Sequence, residues 1–392
     1  MSNDDHSHAA PLHVVAVRAH RHRSPLLRPF VTAARRTDSV AFVVAEVELD
    51  GGVIGQGSAA ETVAVTGESA ATIHEALTGP LGAALTGARG TLPELAALIA
   101  ATDTGPTDTT GPTGPSRAAG ATSAKAALDV ALHDAAARAA GVSLVELLGG
   151  STEGELLNDM TVSLEEPEVM ARRAREAVDT GEQILKIKLG RDPEEDRRRL
   201  DAVLEAAPGV RLRLDANQGW SPEEAIRILT GLEADALPID LVEQPVPAAD
   251  VDGLARVRAA VGLPIMADEA VWTAADARRL VDAGAADLLN IKLAKTGGVR
   301  EALAIADVAQ EAGLTCMIGA MMEPRISITA AAHVAFAHPA ITLIDLDPPA
   351  WFASPLPGGG YVQDGARLRL LGGPGLGLDL LDPSSDPDGG EH

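Results

Sequence analysis

The feature that most constrains this fold is a repeat of short apolar segments after Gly150. The segments recur roughly every 25 residues, and helical patterns fill the gaps between them. Their approximate positions are Met160, Ile184, Val210, Ile239, Ile265, Leu288, Thr315 and Ile341. A strand-helix unit repeated in this way is typical of a (β/α) barrel, so the sequence predicts an α/β fold with a barrel in its C-terminal part.

The N-terminal part has a different pattern. Residues 13–50 are strand-like, and the last of these lead into the turn Asp50-Gly-Gly52, which favours a hairpin. Helical periodicity follows at 68–85, 92–101 and 122–140. A meander followed by helices indicates a separate α+β domain. Polar residues at both termini predict disorder there, and the Thr-, Gly- and Pro-rich stretch 103–120 predicts a mobile loop.

The composition limits the possible partners. The chain has 392 residues, 46% of them apolar, and a formal net charge of −24. Because this charge repels phosphate backbones and anionic lipid surfaces, we expect no nucleic acid and no membrane partner. No apolar run reaches the roughly 20 residues of a membrane span, and the single Cys316 excludes a disulfide framework. We expect a cytoplasmic homo-oligomer that acts on a small molecule.

Three carboxylates follow neighbouring predicted strands. Asp215, Glu243 and Asp268 each come directly after a short apolar run. Because the functional groups of a barrel gather at the C-terminal ends of its strands, these acids would crowd one mouth and need a cation. An all-oxygen set without His or Cys fits Mg²⁺. Any one acid alone could equally cap a helix or pair with a surface arginine, but three in register favour a metal site.

Three lysines accompany these acids. Lys186 and Lys188 lie two apart on the second barrel strand, so both side chains point towards the same mouth. Lys292 lies on the sixth strand, across the barrel, so a substrate between them would have a base on each face. Proximity to another ammonium and a metal would lower the pKa of such a lysine to about 7–8, where it can accept a proton. A structural ion pair is an equal alternative for a single lysine, but not for two opposed ones.

A pair of acids ends the eighth strand. Asp345 and Asp347 lie on one face and could bind a substrate ammonium group or clamp an arginine. Three tryptophans also follow strand ends, and either a pocket wall or core packing would explain them; they are Trp220, Trp272 and Trp351. The histidines form no cluster at ligand spacing, and His133 and His333 fall in helical segments as packed or surface residues.

Together these motifs resemble the enolase superfamily, and within it the muconate-lactonizing subgroup that includes dipeptide epimerases. The motifs are Lys186-Ile-Lys188, Asp215-Ala-Asn217, Glu243-Gln-Pro245, Ala267-Asp-Glu269 and Asn290-Ile-Lys292, and the likeness extends from His13 to Leu380. The resemblance implies a (β/α)7β modified TIM barrel at 151–356 and an N-terminal α+β capping domain at 12–150. It also implies a C-terminal segment at 357–380 that returns to the capping domain. The polar composition of residues 1–11 and 381–392 predicts that both are disordered.

The resemblance also implies roles for single residues. Asp215, Glu243 and Asp268 match the magnesium ligands. Lys188 matches the acid/base group on one face, with Lys186 beside it, and Lys292 matches the acid/base group on the other face. Asp345 and Asp347 match the pair that holds a dipeptide ammonium group. The pocket lining would include Thr161, Ala320, Met321 and Met322. Arg35 resembles a capping-loop arginine that meets the acidic side chain of an Ala-Glu substrate, whereas Gln56-Gly-Ser58 departs from the Trp-Gly-Glu of many relatives.

The activity implied is that of an isomerase, a racemase or epimerase acting on amino acid derivatives. We expect a Mg²⁺-dependent epimerase that inverts the α-carbon of an L-Ala-D/L-Glu-like dipeptide by a two-lysine 1,1-proton transfer through an enolate. The alternatives within the subgroup are a cycloisomerase, an o-succinylbenzoate synthase and an N-acylamino acid racemase. A sugar-acid dehydratase would need a His on the seventh strand, which has none. A non-catalytic structural barrel is the alternative of a different class.

Overall fold

The computed structural model describes residues 11–31, 36–105, 120–190, 192–353 and 357–382. Arg35 lies outside the described residues, as do most of the predicted loop at 103–120 and nearly all of both predicted disordered termini. The predictions for these segments therefore stay predictions.

An antiparallel sheet and a set of helices form the N-terminal part of the described chain. The sheet order is β3-β2-β1-β4, and its strands are β1 (Leu12–Val31), β2 (Arg36–Leu49), β3 (Val53–Ala60) and β4 (Arg89–Gly90). The helices are α1 (Val63–Thr66), α2 (Ala70–Ala76), α3 (Gly82–Leu85), α4 (Leu92–Ala101), α5 (Thr122–Ala140) and α6 (Leu144–Leu147), with a π-helical turn at Leu77–Leu81. β2 and β3 pair antiparallel across the turn at Asp50, which confirms the predicted hairpin.

The long helix α5 packs directly on β3. A Cβ atom at Gly57 would lie 2.0 Å from the carbonyl oxygen of Ala127 in this helix. Only glycine at this position lets the helix backbone approach so closely. The Ala-rich face of α5 therefore lies flat against the sheet and is almost wholly buried.

A parallel sheet forms the C-terminal part, with eight strands in the described residues. The strands are β6 (Met160–Val162), β7 (Ile184–Lys188), β8 (Arg211–Asp215), β9 (Ile239–Glu243), β10 (Ile265–Ala267), β11 (Leu288–Lys292), β12 (Thr315–Gly319) and β13 (Ile341–Asp345); the short β5 (Leu156–Leu157) precedes them. They pair in chain order from β6 to β13, which confirms the predicted barrel and each of its strand positions.

Helices connect every pair of consecutive barrel strands in the described chain, giving the (β/α)7β arrangement. They are α7 (Pro167–Asp179), α8 (Pro193–Ala206), α9 (Pro222–Ala234), α10 (Val251–Ala260), α11 (Ala274–Asp282), α12 (Leu293–Thr296), α13 (Val299–Glu311) and α14 (Arg325–Ala337). Ser221 caps α9 through a reciprocal pair of hydrogen bonds with Glu224, as its sequence predicts.

The last described segment joins both parts of the molecule. After a 3₁₀ turn at Pro348–Trp351, strands β14 (Tyr361–Asp364) and β15 (Arg367–Leu370) form a hairpin that pairs with β5. The N–H of Leu144 in α6 then donates to the Gly375 carbonyl at 2.7 Å, and the Arg138 guanidinium donates to the Leu378 carbonyl at 2.8 Å. Among the described helices, none combines the length and apolarity that crossing a membrane requires.

Candidate active site

The barrel strands bring the predicted acids and lysines to one mouth. In the parallel register, Lys188 lies opposite Asp215, and Asp215 lies opposite Glu243. Lys292 and Asp345 end β11 and β13, and all of these side chains are buried. The sequence therefore predicted correctly that these groups meet.

Gly319 lies between Lys292 and Asp345 in the register of the sheet. A Cβ atom there would stand 2.7 Å from Oδ1 of Asn290 and 3.2 Å from Cε of Lys292. A larger residue would therefore clash with the Asn290 side chain and crowd Lys292. At Gly319, the last residue of the seventh strand, the absence of a side chain leaves room for Lys292.

Lys186 is the centre of the site. Its Nζ lies 2.6 Å from Oε2 of Glu243, 2.7 Å from Oδ2 of Asp345 and 3.4 Å from Oδ2 of Asp215. Burial alone would lower the pKa of this ammonium group, but the carboxylates of Asp345 and Glu243 outweigh burial and hold the pKa well above its usual value. The lowering expected for a catalytic lysine is thus not found at Lys186, which is a fixed cation here.

The two candidate bases each contact a different acid. Lys188 donates to Oδ2 of Asp215 at 2.5 Å, and Lys292 donates to Oδ2 of Asp268 at 2.8 Å. Burial opposes the charge on Lys292, yet the carboxylates of Asp268 and Glu243 raise its pKa above the usual value. Because β7 and β11 stand four strands apart in the sheet order, the two ammonium groups approach the mouth from different sides.

The three candidate metal ligands are not electrostatically equivalent. Burial raises the pKa of Glu243 to about 7, and the Asp215 carboxylate adds to this effect. At Asp215 burial acts in the same direction, but Lys188 and Lys186 outweigh it and lower the pKa. At Asp268, Lys292 and a further lysine likewise overcome burial and hold the pKa well below its usual value. Glu243 is therefore the acid whose charge the lysines compensate least.

These acids have the chemistry of a site for a hard divalent cation. Oε2 of Glu243 is buried and receives no hydrogen bond, although Lys186 forms an ion pair with it. Within the described ranges no three His, Cys, Asp or Glu side chains stand at metal-ligand spacing, because lysine ammonium groups lie between the carboxylates. Asp215, Glu243 and Asp268 thus offer the oxygen donors that Mg²⁺ prefers, and sharing one ion would require their ammonium partners to shift.

The second acid pair divides into two environments. Asp345 pairs with Lys186, and this ammonium overcomes burial to hold the pKa of Asp345 well below its usual value. Asp347 instead accepts at Oδ2 from the Thr161 N–H at 2.9 Å and from Nε1–H of Trp351 at 3.0 Å. Burial, together with the charge of Asp345, raises the pKa of Asp347 to about 6. Asp345 is thus held by Lys186 of β7, and Asp347 by Thr161 of β6 and by Trp351 of the turn after β13.

Sequence reasoning did not identify Lys295. Its Nζ is almost fully buried and donates to Oδ1 and to the carbonyl oxygen of Asp268, each at 2.5 Å, and to the Asn290 carbonyl at 3.0 Å. The helix α12 places it one turn after Lys292. This spacing of three is the only signal in the sequence, and it does not distinguish a buried lysine from a surface one.

Other missed residues orient the ligand acids. The side-chain oxygen of Gln244 accepts from the N–H groups of Asp268 at 2.9 Å and Ala270 at 3.2 Å. Asn290 donates through Nδ2 to Oε1 of Glu243 at 2.9 Å. These bonds tie the ends of β9, β10 and β11 together. Both residues belong to motifs that the sequence shows, but their partners become evident only in three dimensions.

The remaining predicted residues lie in the loop after β12 and on β3. Ala320, Met321 and Met322 lie in the loop after β12, where the Met321 N–H donates to the buried Glu323 at 3.1 Å. Gln56 donates to Glu46 at 2.9 Å and accepts from the Leu381 N–H at 2.8 Å. Gln56 therefore joins the N-terminal sheet to the C-terminal segment.

Comparison with known proteins identifies the family. The description "Mandelate racemase / muconate lactonizing enzyme, N-terminal domain" matches residues 14–149, and "Enolase C-terminal domain-like" matches residues 169–384. The chain belongs to the mandelate racemase and muconate lactonizing enzyme family of the enolase superfamily. The predicted membership in this superfamily is confirmed.

Named members of the family extend this result. An L-Ala-D/L-Glu epimerase from Clostridium acetobutylicum is 41% identical over 356 residues, which cover 91% of this chain and 95% of that protein. A dipeptide epimerase from Enterococcus faecalis, solved with Mg and the dipeptide L-Leu-L-Tyr, has 35% identity and a TM-score of 0.83, with 94% of this chain and 100% of that chain covered. An N-succinyl-L-Arg/Lys racemase from Bacillus cereus is 32% identical over 370 residues, which cover 94% of this chain and 95% of that protein. These relatives confirm the predicted class, an isomerase of the racemase and epimerase type.

Proposed function

We propose that this protein is a Mg²⁺-dependent epimerase that inverts the α-carbon of a dipeptide. The observation that supports this most directly is the arrangement of Lys188 and Lys292. Each is buried at the same barrel mouth, on a separate strand, and beside a carboxylate of the candidate metal set. Inversion of a stereocentre needs one group on each face of the carbon, and this arrangement provides two.

Asp215, Glu243 and Asp268 would hold Mg²⁺ at this mouth. When bound, the ion supplies positive charge that stabilises the anion formed as the α-proton leaves. The remaining parts of the site keep their places, since Gln244 holds the backbone at Asp268 and Asn290 holds Glu243. The carboxylates of Asp268 and Glu243, which raise the pKa of Lys292, are among the groups that would hold the ion, so their opposition to a neutral Lys292 would fall.

The proton transfer itself belongs to the lysines. Nζ of Lys188, as a neutral amine, takes the α-proton, and the electron pair of the broken C–H bond stays on the substrate as an enolate. Nζ of Lys292, as an ammonium group, then gives a proton to the opposite face of the same carbon. The roles exchange in the reverse direction. Lys186 remains charged beside Asp345 and offsets negative charge throughout.

Asp345 and Asp347 would bind the ammonium group of the dipeptide. Both are buried, and their two carboxylates supply more negative charge than Lys186 alone offsets. Thr161 contributes its backbone N–H to Asp347 and would line the same end of the pocket. Ala320, Met321 and Met322 would line the wall after β12, and Arg35 would contact an acidic side chain as in an Ala-Glu substrate.

An N-acylamino acid racemase is the second candidate, because a relative at 32% identity is named an N-succinyl-L-Arg/Lys racemase. Its substrate carries an amide in place of the free ammonium group. An N-acylamino acid with an uncharged side chain gives the two buried acids at the end of β13 no cation to bind, whereas the Arg or Lys side chain of an N-succinyl substrate would supply one. Asp345 and Asp347 therefore favour a dipeptide over an N-acylamino acid whose side chain is uncharged, and the rest of the site suits both kinds of substrate.

The test is a dipeptide library incubated in D₂O with the Mg²⁺-loaded protein and screened by mass spectrometry for deuterium at the α-carbon. We expect uptake with free dipeptides, with L-Ala-L-Glu among the best, and little with their N-acetyl forms. Asp345→Asn should weaken transition-state binding of the free dipeptide by about 2–4 kcal/mol, which is the usual cost of losing a buried charge-assisted contact. Preference for N-acylated amino acids, with the Asp345→Asn variant unimpaired, would establish the racemase instead.

A further inference from the structure

Trp351 connects the N-terminal sheet to the acid pair of the barrel. Its indole Nε1–H donates to Oδ2 of Asp347 at 3.0 Å. The edge of Phe30 meets its ring at a centroid distance of 5.3 Å and an interplanar angle of 88°. The guanidinium carbon of Arg28 lies 4.4 Å from the centre of the same ring. One buried side chain thus contacts an acid of the site and the end of β1.

The end of β1, residues 25–31, is called here the docking segment. It contacts the two loops that flank Asp347. On one side the Ala353 N–H donates to the Pro25 carbonyl at 2.9 Å, and Leu26 bridges to Phe352. On the other side the Leu164 N–H donates to the Val31 carbonyl at 3.1 Å. Trp351 is the described side chain that joins these contacts to the carboxylate itself.

From these contacts we infer that Trp351 is a positioning residue. It couples the docking segment to the orientation of Asp347, and so to recognition of the substrate ammonium group. The inference rests on the proposed function for the identity of that ligand. The coupling of Trp351 to Asp347 does not depend on it.

The hydrogen bonds of Asp347 give the physical reason. Both described donors, the Thr161 N–H and the indole N–H, bond to Oδ2. Among the described residues Oδ1 accepts no hydrogen bond, so it is the oxygen that remains for an ammonium group. The indole fixes the rotation of the carboxylate, and the docking segment fixes the indole by packing on its ring. Without the indole N–H, one backbone bond alone would hold the carboxylate.

Four variants of the Mg²⁺-loaded protein test this with L-Ala-L-Glu as the probe: Trp351→Phe, Trp220→Phe, and Asp347→Ala with and without Trp351→Phe. Trp351→Phe keeps a ring for Phe30 and Arg28 but removes the N–H donor; Trp220→Phe makes the same change in the core, where the indole nitrogen has no partner among the described residues. We expect Trp351→Phe to raise KM about tenfold and to leave kcat within about twofold. Trp220→Phe should change neither. In an Asp347→Ala background, Trp351→Phe should have no further effect.

A second measurement needs no turnover. Hydrogen exchange followed by mass spectrometry reports on the docking segment in the absence of substrate, and coupling must act in both directions. Asp347→Ala should accelerate exchange in peptides covering 25–31 about tenfold relative to wild type, while distant helices such as α9 keep their rates. Unchanged exchange, or a KM for Trp351→Phe equal to that of Trp220→Phe, would overturn the inference. If wild type exchanges no dipeptide α-proton, the proposed function fails, and the exchange comparison still decides whether Trp351 positions Asp347.

Discussion

Replacing Lys186 with methionine tests how the carboxylates of the site are balanced. The ammonium group of Lys186 lies within 3.4 Å of three acids, Asp215, Glu243 and Asp345, and the residue is 1% exposed. Methionine has a similar length and no charge, so Lys186→Met leaves these acids facing one another without their shared cation. The metal-free protein should therefore lose stability, and added Mg²⁺ should restore part of it.

The size of the effect follows from the burial. Removing one partner of a buried ion pair costs about 3–5 kcal/mol, and three carboxylates around one ammonium place Lys186→Met near the upper end. With an unfolding entropy of about 2.1 cal/mol/K per residue, each kcal/mol corresponds to about 1.2 °C in Tm for a chain of 392 residues, so the metal-free variant should melt about 6 °C below wild type. A ligand at 100 times its Kd contributes about 2.7 kcal/mol. Because Mg²⁺ no longer competes with the ammonium, the rise in Tm on adding it should be larger in the variant than in wild type.

The assay is thermal unfolding by circular dichroism, with chelator and with a Mg²⁺ titration, at mildly alkaline pH so that Glu243 is ionised. Lys125→Met is the control, because Lys125 is also a buried lysine, 9% exposed against 1% for Lys186, but its ammonium donates to the Ala100 carbonyl, with no acid at ion-pair distance among the described residues. Mg²⁺ should raise the Tm of Lys125→Met by no more than it raises the Tm of wild type. The reasoning would be refuted if the two variants had the same Tm with chelator, or if Mg²⁺ did not raise the Tm of Lys186→Met.

Three further predictions concern single groups. Lys188→Ala and Lys292→Ala should both abolish epimerisation, yet each variant should still exchange the α-proton of one substrate epimer with D₂O, measured by NMR. Epimerisation by either variant at a rate near that of wild type would exclude the two-base mechanism. Asp215→Asn should lower Mg²⁺ affinity about tenfold or more by calorimetry, whereas Asp192→Asn, at a helix N-cap that asparagine also fills well, should not. Burial lowers the pKa of His333 from 6.5 to about 4, so the unfolded chain binds this proton at a higher pH than the folded chain does. The contribution of neutral His333 to the free energy of unfolding is therefore complete above about pH 6.5 and declines below it by up to about 3 kcal/mol. His333→Gln should flatten this part of the pH profile of Tm.

The sequence predicted the barrel and the meeting of its polar groups because both follow from periodicity. Strand and helix alternate in the pattern of apolar residues, and parallel strands of one sheet end at the same edge. Lys188 and Asp215 illustrate this: they lie 27 positions apart in the chain and are neighbours in the register of the sheet. Strand order and strand length alone place these two residues next to each other.

What the sequence could not predict is which charges pair. Position at a strand end fixes the direction of a side chain but not its partner, so Lys295 was missed although it contacts Asp268 as closely as any group does. The expected lowering of lysine pKa values also differs from the structure at Lys186 and Lys292. The expectation counted a metal and a second ammonium as neighbours, whereas the nearest neighbours of both lysines here are carboxylates.

The pairing of Lys292 with carboxylates limits when this lysine can act as a base. A lysine must be neutral to take a proton, but the acids beside Lys292 hold its ammonium form. The same acids, Asp268 and Glu243, are the candidate ligands for the metal, so they cannot serve both partners fully at once. Lys295 keeps its contact with Oδ1 of Asp268 and leaves Oδ2 as the oxygen that changes partner. Freeing the base and filling the metal site are therefore expected to be one event, and the ion-pair network of Lys186 and Lys295 keeps the acids in place until it happens.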